Sequence, residues 1–195
     1  MIDEKFIIIT TILYLYGSST YLIDTIKGKV KPNRVSWSMW AIAPLIAFAA
    51  QVKQGVGIQS LATFLAGFIP LLVFIASFFN KKSFWKINIF DLSCGFMSII
   101  GLVLWFVTKI GNVAILFSII SDATASIPTI VKSWKYPETE NYKLFLFASL
   151  NAGVNLLTLK TWDFAHYSFS LYIFILCAIV AGLIKFKIGK KVKIT

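Results

Sequence analysis

Asp122 is the one charged residue in the long apolar stretch from Ile110 to Val131. A carboxylate at the centre of a membrane helix costs roughly 2.5–3.5 kcal/mol on insertion scales, so it must face other helices or a water-filled space. There it would bind a polar substrate or take up a proton during a transport cycle. The alternative is a structural acid tied to hydroxyls, and Ser121 and Thr124 stand beside it. Asn151 and Asn155 lie one helical turn apart on a common face. Paired carboxamides suit a hydroxyl-rich or amide-bearing solute, and equally suit bonding between helices. Trp37 and Trp40 read first as an interfacial aromatic belt; the alternative is stacking on a substrate ring, with Trp40 the candidate. Pro44, Pro70 and Pro128 interrupt helical backbone, and Pro44 and Pro128 are candidate hinges.

Other chemistries lack their residues. The chain has no G-x-S-x-G, no phosphate loop, no H-E-x-x-H and no acids spaced to work as a pair. Enzymatic activity is therefore not expected. His166 is the single histidine, and Cys94 and Cys177 sit in apolar runs as small hydrophobes, so neither a metal centre nor a cofactor is expected. Glu138 and Glu140 read as solvated charges in a short loop with Lys132, Lys135 and Lys143, a gating ion pair being the alternative. The net charge of +11 does not indicate nucleic acid, because the basic residues are scattered through short connections. Anionic lipid headgroups are the expected counter-charge.

The elements that must carry these residues are membrane helices. Hydrophobic residues make up 58% of the 195 and charged ones 14%, against roughly a quarter charged in an average soluble domain. Seven apolar runs are long enough to span: Phe6–Ile26, Arg34–Val52, Gly57–Phe79, Ile87–Thr108, Asn112–Trp134, Asn141–Leu159 and Ala165–Phe186. The runs are continuous rather than alternating, which excludes a β-barrel. With seven crossings, fifteen basic residues fall on one side and only Lys5, Lys53, Lys109 and Lys160 on the other. The basic side is then cytoplasmic, leaving the N-terminus outside and the C-terminus inside a plasma (inner) membrane. Asp3 and Glu4 argue against a cleaved signal peptide. The whole chain, 1–195, is expected to form one membrane domain.

Displacing the chain by 105 residues aligns the first three runs (6–79) with the last three (112–186) without gaps and leaves 87–108 as a linker. Lys27-x4-Pro32 meets Lys132-x4-Pro137, Trp40 meets Phe145, and Ala43 meets Ala148. Two triplets joined by one span would run parallel, with a site at the midplane between them. The run Ile127-Pro128-Thr129-Ile130-Val131-Lys132-Ser133-Trp134, followed by Pro137-Glu138-Thr139-Glu140-Asn141, resembles the loop-flanking motif of the PQ-loop and SWEET superfamily. In the first copy Ile23 stands at the position of Pro128, and Thr129 stands where that family has glutamine. The resemblance implies an all-α membrane protein of 3+1+3 helices that carries a small polar solute, sugar- or vitamin-like, by alternating access, with hinge prolines and a homodimer as compatible features. The expected substrate-binding residues are Asp122, Asn151, Asn155, Ser121, Thr124 and Trp40. A non-transporting scaffold, sensor or complex subunit on the same fold is the alternative.

Overall fold

The computed structural model describes residues 2, 3, 5–83, 85–108 and 110–192, with the backbone alone at positions 101, 102, 105 and 108. Lys109 and Lys193, which entered the charge count, lie outside the described residues. The chain forms helices α1 (Lys5–Ile26), α2 (Arg34–Lys53), α3 (Ser60–Ala76), α4 (Ile89–Thr108), α5 (Gly111–Lys135), α6 (Tyr142–Thr158), α7 (Phe164–Phe186) and the short α8 (Ile188–Val192). A 3-10 turn, Pro137–Thr139, lies between α5 and α6, and the described residues contain no strand. Each expected run thus holds one helix, with ends displaced by three residues or fewer.

Four helices, α1, α2, α5 and α7, have the length and apolarity to cross a bilayer. The distribution of polarity agrees with that setting. Ile8, Ile9 and Ile12 on α1, Phe96, Met97 and Val103 on α4, and Phe174, Ile175 and Ile179 on α7 point outward. Asp122, Asn151, Asn155, Thr129 and Ser118 are turned inward. A soluble domain sorts these residue types the other way round. This is a membrane protein. The α3 and α6 helices, at 17 residues each, rise only about 25 Å.

Local chemistry sets the helix starts. Asn33 accepts from the amides of Val35 and Ser36 at the head of α2. Asn141 caps α6 in the same way through the amide of Lys143. Asn88 and Asp91 exchange side-chain and backbone bonds at the head of α4, a reciprocal capping box. The two asparagine caps are 108 positions apart, so the gap-free offset of 105 slips by three residues at this point. α5 has 25 residues against 22 in α1.

Successive helices alternate in direction. The ends of α1 and α5 and the starts of α2 and α6 meet at one end of the bundle: the amide of Lys31 donates to the Thr139 carbonyl, and Asn141 donates to Asp24. Arg34 binds the Ser77 carbonyl at the end of α3. At the opposite end the amide of Ile2 donates to the carbonyl of Leu157. The two termini therefore lie at opposite ends.

Packing follows a repeated scheme. α3 packs against both α1 and α2, whose backbones stay apart and meet only through side chains such as Tyr21 and Trp37; α7 packs against α5 and α6, whose backbones likewise stay apart. α1 packs on α6 and α2 on α5, while α4 lies outside, against α5 and α2. Glycine makes the first of these crossings close. A Cβ at Gly17 on α1 would stand 2.9 Å from the Lys143 carbonyl oxygen and 2.6 Å from the Phe147 ring on α6.

Candidate functional site

Six helices converge on the middle of the bundle and leave a cavity of about 40 Å³. That is room for about three waters, at roughly 10–15 Å³ each on this measure. Asp122 of α5 and Tyr14 of α1 face each other there, with Trp37 and Trp40 from α2 and Phe145 from α6 as further walls. A narrower void of about 10 Å³ continues toward the N-terminal end, past Thr63, Asn151 and Ser170. Tyr14, Ala66, Ala148 and Ile173 line both, so the two form one tract.

Asp122 is buried, and its two carboxylate oxygens differ. Oδ2 accepts from the Tyr172 hydroxyl at 2.6 Å. Oδ1 has no hydrogen-bond partner among the described residues. The indole Nε1 of Trp40 donates to the backbone carbonyl of Asp122 at 3.3 Å, fixing that ring beside the acid. The Nε1 of Trp37 is buried near the Tyr21 hydroxyl and has no hydrogen bond of good geometry among the described residues. Leaving such groups unpaired is costly, and both belong to residues that line the cavity.

The expected site residues are only partly brought together. Asp122 and Trp40 share the cavity, and Asn151 lines the narrow void. Its amide donates to the hydroxyls of Thr10 and Thr11, each at 3.2 Å. Asn155 is buried beyond the tract, where it donates to the Gln59 carbonyl at 2.7 Å. Ser121 turns to α4, its hydroxyl 2.7 Å from that of Ser98. Thr124 is half-exposed and donates to the Ile120 carbonyl of its own helix. Pro44 and Pro128 are both buried, in helices that pack on each other.

Trp37 and Trp40 are not belt residues. They are 1% and 6% exposed because the face of α2 that carries them turns toward α1 and α6 rather than to the rim. Their rings lie 5.3 Å apart, edge to face, and Tyr21 and Phe145 complete the cluster.

The lining residues also fall into pairs. Tyr14 and Asp122, Trp37 and Phe145, and Trp40 and Ala148 are each 108 positions apart, the interval between the two asparagine caps. On α3 and α7 the interval is 107: Thr63 with Ser170, Ala66 with Ile173, Pro70 with Cys177. Family models, curated proteins and solved structures contain no match to this chain. The pairing is thus a property of this sequence and its own geometry. At this interval Trp40 pairs with Ala148, whereas the offset of 105 pairs it with Phe145.

The basic end of the tract is closed by a buried ion pair that sequence reasoning misplaced. Glu140 is not a solvated loop charge: its side chain is fully enclosed, 2.7 Å from Lys132. The 3-10 turn before it swings Glu140 inward between α1 and α5. Its second oxygen accepts from the Tyr21 hydroxyl at 2.5 Å. Lys132 also donates to the Lys31 carbonyl and lies 4.9 Å from the centre of the Trp85 ring. Glu138, by contrast, stays half-exposed and pairs with Lys190 on α8. A hydrogen bond from that lysine holds its carboxyl below the usual glutamate range. Tyr14, Tyr21 and Tyr172 went unnoticed because tyrosine is common at membrane interfaces. The signal that could have found Tyr14 is its distance of 108 positions from Asp122.

Proposed function

We propose that this chain is a seven-span carrier or facilitator in which α1–α3 and α5–α7 form two parallel three-helix units joined by α4. A small polar solute would pass along the tract between them by alternating access. Three features support the architecture. Each unit places its third helix between the other two; α1 on α6 mirrors α5 on α2; and the tract-lining residues recur at 107–108 positions. The resemblance to the PQ-loop and SWEET superfamily points the same way. The basic end would face the cytoplasm of a cell bounded by this membrane, with the N-terminus outside. α3 and α6 would complete the crossings, since a helix shorter than the hydrocarbon is accommodated by local thinning.

The observation that carries the functional reading is the unpartnered Oδ1 of Asp122, buried in a cavity at the junction of the two units. An unmet buried acceptor costs about 1–3 kcal/mol, and of the buried acids described Asp122 is the one with such an oxygen on a residue that lines the cavity. An acid that receives a substrate or a proton needs one left open. Pro44 removes the backbone donor to the Trp40 carbonyl, and Pro128 the one to the Thr124 carbonyl. The two proline breaks fall where α2 and α5 pack together, so bending there would move the cavity walls.

Reconstituted protein should mediate flux of a labelled solute, and Asp122→Asn should slow it at least tenfold or abolish its pH dependence. Flux by the substituted protein that is unaltered at every pH would remove Asp122 from the mechanism. No flux of any solute, together with a stoichiometric co-purifying partner, would favour a scaffold or subunit instead.

A further inference from the structure

We propose that the central cavity selects a compact organic ammonium ion rather than a sugar. Flux of that ion rests on the carrier reading above; its binding does not. The argument begins with what the walls offer. The lining contains one acid, Asp122, and no Lys, Arg or His. Its remaining character is aromatic, from Tyr14, Trp37, Trp40 and Phe145, or aliphatic, from residues such as Leu144 and Leu176.

A hexose carries five hydroxyls, each needing a partner once buried, and a hydroxyl transferred without one loses several kcal/mol. Against that demand the cavity lining offers one unpartnered carboxylate oxygen, Asp122 Oδ1, the Trp37 Nε1 and the Tyr14 hydroxyl. The hydrogen-bonding supply is too small for a sugar. It suits a ligand whose charge, not its hydroxyls, makes the contact. The carboxylate supplies the opposite charge, and the π faces of tryptophan and tyrosine attract a cation within about 6 Å of the ring centre.

Size agrees. Room for about three waters is less than either solute fills, and choline, with seven non-hydrogen atoms against twelve in a hexose, asks the walls for the smaller expansion. A bare proton would need the acid but would gain nothing from four aromatic walls. The Tyr172 hydroxyl occupies Oδ2 and the Trp40 indole holds the backbone carbonyl of Asp122, which leaves Oδ1 as the unpartnered oxygen of a cavity-lining acid.

The test compares choline with 3,3-dimethylbutan-1-ol, its uncharged isostere, on the full chain in lipid nanodiscs, with glucose as a third probe. Choline should raise the unfolding temperature and bind about tenfold or more tightly over the isostere. Asp122→Asn should abolish the preference, and Asp122→Glu should retain part of it. Equal stabilisation by choline and the isostere, no stabilisation by choline, or a response to glucose alone would each overturn the proposal. The first comparison needs only the unmodified protein, so it stands even if Asp122 variants fail to fold. Uptake of labelled choline into proteoliposomes is measured separately. Choline binding without uptake keeps the cation site and removes the carrier, whereas glucose uptake without choline binding keeps the carrier and removes the cation site.

Discussion

The two ends of the central tract are closed by different chemistry. At the basic end Lys132, Glu140 and Tyr21 form a buried charged network that ties α1, α5 and the start of α6 together. At the opposite end the ties are neutral: Asn151 to Thr10 and Thr11, Asn155 to the Gln59 carbonyl, and Gln51 to the Ala165 carbonyl. The difference is one of energy scale. Removing one partner of a buried ion pair costs about 3–5 kcal/mol, because the other charge is left stranded. Hydrogen bonds between membrane helices average only about 0.6 kcal/mol and reach about 1.7. The charged end therefore punishes a single mismatched substitution far more than the amide end does, which ties α1, α5 and the start of α6 to one arrangement.

The most severe way to break that comparison is to strand one charge. Glu140→Gln or Lys132→Met should each destabilise the protein by about 3–5 kcal/mol, read by unfolding in mixed micelles. The double substitution Lys132→Met with Glu140→Leu should recover most of that loss, since no unpaired charge remains. A double variant as unstable as the sum of the singles would show that the two charges are not coupled and would remove the ion pair from the closure of this end.

This contrast was hidden in the sequence, and the reason is local. Helix positions follow from hydropathy, because about 20 apolar residues in a row have few other fates. Asp122 was visible for a similar reason, as a charge where no charge is cheap. Glu140 and Lys132 were misread because they lie beside polar loops, where surface residues are the usual case. Only the inward swing of the 3-10 turn and the depth of the α5 end bury them. Trp37 and Trp40 failed in the same way: position near a basic loop suggested an interface, whereas the facing of α2 decided otherwise. Ser121 and Thr124, flanking Asp122 by one and two positions, were grouped with it by sequence proximity. On a helix, neighbours at those spacings face elsewhere, and each has found a different partner. The interval of 108 positions that relates Tyr14 to Asp122 and Trp37 to Phe145 was open to a gap-free comparison too, but at low identity nothing in the sequence favoured it over 105 until the cavity brought those residues together.

A middle-sized test addresses the amide end. Asn151→Ala removes two bonds to α1 and should cost about 0.6–1.7 kcal/mol, well below either charge substitution. If transport occurs, the same change should speed opening at this end and raise the turnover measured in proteoliposomes. A loss as large as that of Glu140→Gln would place the strong closure at both ends and end the asymmetry.

The smallest effect belongs to the ion pair that did not become buried. Lys190 and Glu138 approach to 2.7 Å, yet both side chains are half-exposed, so screening by solvent limits the pair to at most about 1 kcal/mol. The carboxyl of Glu138 is held below its usual range by the Lys190 hydrogen bond. A depressed acid stabilises the folded state above the ordinary glutamate range, and that contribution disappears as pH falls through the lowered value. Lys190→Ala should therefore cost less than about 1 kcal/mol at neutral pH and nothing once Glu138 is protonated. Raising the salt concentration at neutral pH should shrink the same difference, because charges in contact with solvent are screened. The cost of Glu140→Gln should be almost indifferent to salt, since Glu140 and Lys132 are enclosed. Two glutamates separated by one residue would then differ in both magnitude and salt response, and the side on which the 3-10 turn presents each of them is the cause.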